Sequence, residues 1–305
     1  MRIPGGALAC AMFVLASNAA AEGRRTINHA TSYPEGPVVV GGSLYYAEMG
    51  NDRVMRFDGQ GLSAIVWSRA DCGPTSIARA AEGGFWVLCH RQDALVHVSG
   101  GGKTVAVIDR DGAGQPFDNP NASVNDGRGG VYFSSSGIFS PAAPAEGAVL
   151  YLGADGTLRR VAEGIHYANG VALSPDGMVL YVSEHLERRV LAFDVKADGS
   201  LKRRRVHLVL DRLVGADKTR GWWVGPDGLA VDRAGNLVIA EYGAGRLLIV
   251  SGEGHLRFTV PVPERYVTGV AFSAGEDRIF VTAAEARTPV YRGGVYAVAN
   301  PLVRP

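Results

Sequence analysis

One structural unit recurs along this chain, and no other feature narrows the fold as much. Six segments share a grammar: a polar residue beside Gly or Pro, a short apolar strand, a turn with Gly or Asp, a second apolar or aromatic strand, then a third ending near an acidic or Gly turn. They begin at Glu35, Thr75, Asn121, Asn169, Asp227 and Thr268, so successive anchors stand 40, 46, 48, 58 and 41 residues apart. The second strands start near Leu44, Phe85, Val131, Val179, Leu237 and Ile279, only 9 to 11 residues after their anchors. A period in the forties with three or four strands per unit is the pattern of a β-propeller, whose blades bury their faces only against neighbours. The expected fold is all-β, a six-bladed β-propeller. Its last unit lacks an outer strand, which the N-terminal segment around Thr26–Thr31 is expected to supply, closing the ring and hiding an edge. The competing fold, an irregular β-sandwich, would not repeat its anchor spacing.

Composition agrees with that reading. The 41 glycines in 305 residues, without a Gly-X-Y period, suit many tight turns. At 47% hydrophobic the chain is too apolar for disorder, and 31 Lys+Arg against 30 Asp+Glu gives no excess charge for nucleic-acid binding. Residues 1–21 read as a secretory signal peptide: Met1-Arg2, an apolar run Ala7 to Ala16 too short to span a bilayer, then Ala19-Ala20-Ala21 before Glu22. An uncleaved anchor or a core helix is the alternative. Cleavage would leave 22–305 as one propeller domain, periplasmic or secreted, off the membrane and expected as a monomer. Cys10 would leave with the signal. Cys72 and Cys89 then remain in an oxidising setting, flanking a hairpin-like stretch that brings their sulfurs near each other. A disulfide is expected there, with two buried free thiols as the alternative.

The innermost strand of each propeller blade lines the central channel, so the six anchors should meet at one mouth of it. Four of them carry oxygen donors suited to a hard cation: carboxylates at Glu35 and Asp227, amide carbonyls at Asn121 and Asn169. Two negative charges neutralise a divalent ion and leave coordination positions for water and substrate, as Lewis-acid catalysis requires. Each residue alone could be a turn former or cap; their shared register makes them a set. Pro175-Asp176-Gly177 and Asn125-Asp126-Gly127 fall between first and second strands, at the opposite face, so Asp176 and Asp126 are excluded.

These motifs resemble the gluconolactonase family that includes the senescence marker protein regucalcin. The resemblance covers nearly all of the mature chain and rests on Glu35-Gly36-Pro37, Pro120-Asn121, Asn169-Gly170-Val171-Ala172-Leu173, Pro226-Asp227-Gly228-Leu229-Ala230 and Val267-Thr268-Gly269-Val270. It implies metal ligation by Glu35, Asn169 and Asp227, with Asn121 a ligand or a substrate contact. Relatives usually carry Asp after that Asn, where Ala122 stands here. The implied reaction is hydrolysis of a sugar lactone, with one divalent cation polarising the carbonyl. Calcium is the first expectation, and Mg, Mn or Zn remain open. Asp227 is the implied base, and hydroxide on the cation is its rival.

Specificity is expected from a second ring at the same mouth: Glu48, His90, Ser135, Glu184 with His185, Glu241 with Tyr242, and Glu285. The predicted substrate contacts are Thr75, His90, Asn121, Glu184, His185, Trp223 and Thr268, with Trp222 and Trp223 as an apolar wall and the loop Gly137 to Gly147 as an overhang. No H-E-x-x-H, G-x-S-x-G or paired C-x-x-C occurs, which argues against a zincin, a serine hydrolase or a zinc ribbon. Two alternatives stay open: an aryl ester or organophosphate hydrolase on the same fold, and a non-catalytic propeller that binds sugar or protein.

Overall fold

The computed structural model describes residues 23–303, apart from 62, 218 and 288–291. The expected signal peptide, residues 1–21, lies outside the described residues. The chain is all-β, a propeller-like arrangement of small antiparallel sheets. Four are separate four-stranded meanders. The first runs Pro34–Val40, Ser43–Glu48, Arg53–Phe57, Ala64–Ser68; the second Pro74–Arg79, Phe85–Cys89, Ala94–Val98, Thr104–Ile108. The third runs Pro120–Asn125, Val131–Ser135, Gly147–Leu152, Leu158–Ile165, and the fourth Ala168–Leu173, Val179–Glu184, Arg189–Val195, Leu201–Val209. The other eight strands form one sheet. Its halves, Gly225–Val231 to Leu256–Pro261 and Tyr266–Phe272 to Arg292–Ala299, are joined by a single residue pair, Tyr242 with Tyr266. The N-terminal strand Arg25–Ser32 pairs antiparallel with Arg292–Ala299 at the outer edge of the second half.

Alternation along the strands puts apolar side chains on both faces of each sheet, and the core lies between consecutive sheets. Trp86, Leu88 and Leu95 of the second sheet pack with Phe133 and Leu150 of the third. Leu44, Tyr46 and Met55 of the first pack with Val295 and with the partly buried Ile27 of the N-terminal strand. Each inner strand packs against the next, and Tyr266–Phe272 packs against Pro34–Val40.

Where glycine follows an anchor, it sets the spacing to the next inner strand. A Cβ on Gly36 would lie 2.2 Å from the Thr75 carbonyl oxygen, and one on Gly170 would lie 2.1 Å from that of Asp227. Glycine is required where backbones come this close. The Glu-Gly, Asn-Gly and Asp-Gly dipeptides thus join a donor side chain to the contact that brings the next donor near.

Three hairpins share a further device. Glu48 and Glu184 end second strands, Glu241 stands one residue before the end of its own, and they are cross-strand partners of Arg53, Arg189 and Arg246, which open the third. The ion-pair distances are 2.9, 2.6 and 2.5 Å, and all three carboxylates are buried. In the second sheet the same position is Cys89, which is disulfide-bonded to Cys72. A covalent link there replaces the ionic clasp.

Candidate functional site

All six pairings of an inner strand with its neighbour break register at the anchor: between Glu35 and Val38, Pro74 and Ser76, Pro120 and Ser123, Ala168 and Val171, Pro226 and Leu229, and Val267 and Gly269. A bulge turns a side chain out of the sheet's alternation. Here the bulges bring Glu35, Thr75, Asn121, Asn169 and Asp227 to one cavity of about 180 Å³. All five are buried.

Hydroxyls of adjacent sheets pin the anchor backbones. The Pro120 carbonyl accepts from Thr75 Oγ1 at 3.2 Å and from His90 Nδ1 at 3.1 Å. The Ala168 carbonyl accepts from Ser136 Oγ at 2.7 Å, that of Asp227 from Ser183 Oγ at 2.7 Å, and that of Pro34 from Thr268 Oγ1 at 2.6 Å. Thr75 and His90 therefore line the cavity while their polar atoms hold Asn121 in place.

Glu35 and Asp227 face the same small space. Burial pushes both carboxyls well above the ordinary carboxylate range, and for Glu35 the Asp227 charge adds to the effect. Asn169 lies beside them. Its Nδ2 faces His185 Nδ1 at 3.4 Å, while His185 Nε2 donates to the Trp223 carbonyl at 3.0 Å. That second bond leaves Nδ1 as the acceptor, which fixes the amide with nitrogen toward the ring. Asn169 Oδ1 is then buried without a hydrogen-bond partner. Burial lowers the His185 pKa to about 4, so the imidazole is neutral at ordinary pH. Two buried carboxylates and an orphaned amide oxygen are a costly arrangement for the protein alone, and a divalent cation would offset all three. Among the described residues no three His, Cys, Asp or Glu side chains cluster as metal ligands. A cation here would depend on two carboxylates with the amide oxygens of Asn169 and Asn121, a donor set suited to a hard ion.

The remaining wall is largely aromatic: Tyr33, Phe139, Tyr167 and Tyr242, with Met49 and Arg287. Tyr33 and Tyr167 stand two residues before Glu35 and Asn169 with left-handed backbone, φ 48° and 64°. Such conformations are strained for aromatic residues and recur where a site imposes them. The Tyr33 and Tyr242 hydroxyls are bonded at 2.8 Å. Burial, with the nearby carboxylates, raises the pKa of Tyr33, Tyr167 and Tyr242, so all three stay neutral hydroxyls.

Several predicted contacts lie elsewhere. Glu184 is held by Arg189 and Arg204 and accepts from the His166 amide. Glu48 and Glu241 are clasped likewise, and Ser135 Oγ donates to the Asp118 carbonyl. The residues after the three glutamates, Met49, His185 and Tyr242, face the cavity instead, and so does the predicted contact His90. Trp223 stands behind it and supports Arg287, whose Cζ lies 4.4 Å from the ring centroid. Thr268 lines the narrower channel below rather than the cavity. Asp176 and Asp126 accept turn amides, from Met178 and from Arg128 and Gly130. Of the aromatic wall, only Tyr242 and the loop carrying Phe139 were anticipated. A Tyr two residues ahead of the anchor at Tyr33, Tyr167 and Tyr266 was the available signal for more.

A propeller-like all-β fold with polar anchors gathered at one cavity defines a broad class of binding proteins and enzymes. Within it, this chain belongs to the SMP-30/gluconolactonase/LRE-like family, whose model matches residues 33–285. A lactonase drp35 of Staphylococcus aureus is 31% identical over 143 residues, 47% of this chain and 41% of the relative. The match thus spans less than half the length of that curated relative. A gluconolactonase of Xanthomonas campestris superposes with TM-score 0.74 at 24% identity, covering 90% of this chain and 89% of the other. Regucalcin of Agrobacterium tumefaciens, a calcium-binding protein, superposes with TM-score 0.74 at 17% identity, covering 90% and 92%.

Proposed function

We propose that this protein is a divalent-cation-dependent lactonase, a hydrolase that opens a cyclic ester. The observation that carries the reading is the convergence of Glu35, Asp227 and the unpartnered Asn169 Oδ1 on one buried cavity. Membership of a family that contains lactonases supports the substrate class. Glu35, Asn121, Asn169 and Asp227 would hold the cation, with calcium the first choice for an all-oxygen set. When bound, it supplies Lewis acidity at the ester carbonyl.

The chain's own residues do the rest. Asp227 is the candidate base for the attacking water, because its carboxylate faces the cavity that would hold the ester. The neutral hydroxyl of Tyr167, and whichever of Tyr33 and Tyr242 does not donate within their mutual bond, offer donors to ester and ring oxygens. Phe139 and Met49 narrow the space and exclude bulk water.

The same reading takes the eight-stranded sheet as two blades bridged at Tyr242 and Tyr266. That gives six blades, the last completed by Arg25–Ser32 in a closed ring. The cyclic order of inner-strand packing supports it. We also take residues 1–21 as a signal for export, an assignment the Cys72–Cys89 disulfide supports, since such bonds persist in oxidising compartments. The test is a panel of γ- and δ-lactones, aryl esters and an organophosphate, assayed with calcium and with chelator. Lactones alone should be turned over, chelator should abolish the activity, and Asp227→Asn should lower kcat by about 10²-fold or more with the fold intact. Undiminished turnover by Asp227→Asn would reject Asp227 as the base.

A further inference from the structure

Arg287 is the one cationic side chain lining the cavity among the described residues. The arginines elsewhere around this mouth are matched to acids: Arg53 to Glu48, Arg189 and Arg204 to Glu184, Arg246 to Glu241. Arg287 instead rests on indoles, its Cζ 4.4 Å from the Trp223 centroid and 5.6 Å from that of Trp222. Among the described residues it has no carboxylate partner. Stacking fixes the plane of a guanidinium and leaves its N–H edge for a planar anion. Arg287 lines the same cavity as Glu35, Asp227 and Tyr242.

We propose that Arg287 binds an anionic group of the substrate, and that the substrate is a small lactone whose ring bears a carboxylate. The lactone half of this statement rests on the function proposed above; the anion half rests on Arg287. Charge counting supports it. A divalent cation would balance Glu35 and Asp227, so Arg287 leaves the cavity with one positive charge. One carboxylate cancels that charge, whereas a phosphate monoester, at about −1.5 to −2, exceeds it. The cavity, about 180 Å³, suits a single ring. Hydrolysis adds water across the acyl C–O bond: the water oxygen joins the carbonyl carbon and the ring oxygen leaves as an alcohol. One carboxylate enters and a hydroxy-dicarboxylate departs.

The test uses probes that cannot be hydrolysed. Binding of 3-oxocyclopentane-1-carboxylate and of its carboxamide is measured by calorimetry on the calcium-loaded protein, with turnover of neutral δ-valerolactone assayed in parallel. The wild type should bind the carboxylate on the order of tenfold tighter than the carboxamide. Arg287→Met, which keeps the reach along Trp223 without the charge, should bind both equally, and Arg287→Lys should keep part of the preference. Equal binding by the wild type, or a preference that survives in Arg287→Met, overturns the proposal. A carboxylate preference without turnover of any lactone would reject the lactonase reading and leave the anion site standing. Turnover without the preference would reject the anion site alone.

Discussion

Without a cation, Glu35 and Asp227 should make this protein less stable as pH rises. Both folded-state carboxyls are raised above their unfolded values of 4.5 and 3.8, so the folded state holds more protons than the unfolded chain. Stability then falls with pH, by about 1.4 kcal/mol per pH unit for each proton held in excess. The contribution is fully present below the unfolded values and is lost as pH climbs through the folded ones. At roughly 2–4 °C per kcal/mol, a chain of this size should lose about 3–6 °C of Tm per pH unit within that window. Calcium at about 100 times its Kd should restore about 2.7 kcal/mol at neutral pH. The assay is differential scanning fluorimetry in chelator and in calcium, compared with the Glu35→Gln/Asp227→Asn double variant. That variant should be flat across the window, more stable than wild type in chelator at neutral pH, and indifferent to calcium. A wild-type slope no steeper than the variant's, or a variant less stable than wild type in chelator, would refute the reasoning.

Two other outcomes concern the scaffold. Replacing Cys72 and Cys89 by Ser frees a loop with a sequence separation of 17 residues, which should cost about 3 kcal/mol, read as a lower Tm in thermal melts. Equal Tm with and without reductant would contradict it. Arg53→Met leaves the Glu48 carboxylate buried beside a 27% exposed vacancy, so the loss should be about 2 kcal/mol, below the 3–5 of a fully buried pair. Adding Glu48→Gln should recover most of it in urea unfolding, and failure to do so would mean packing rather than charge holds the hairpin.

The legible part of this chain was what repeats. Anchor spacing disclosed a strand meander and the residues that share a cavity, because a bulge placed at each anchor repeats a local geometry along with a sequence. Of the second ring, His90, His185 and Tyr242 reach the cavity, while Glu48, Glu184 and Glu241 turn away from it. In the sequence Glu184 and His185 are both polar at a strand end, but a pleat sends neighbours to opposite faces, and the face that Arg189 occupies claims the glutamate. Arg287 left no trace at all, since it belongs to no recurring position and its setting depends on Trp222 and Trp223, more than 60 residues away. Tyr33 and Tyr167 were hidden for another reason: strand propensity says nothing about a left-handed residue imposed by the site.

The pairing of Arg25–Ser32 with Arg292–Ala299 has a temporal consequence. The Tyr33–Tyr242 bond spans 209 residues and the Thr268–Pro34 bond 234, so the wall of the cavity joins segments made at opposite ends of synthesis. Contacts so distant form late, after most loop entropy has been lost. A nascent chain would carry its two acid anchors far apart until nearly every strand exists, and a chain cut short would never bring them together. The wall of the cavity thereby depends on segments from both ends of the described residues.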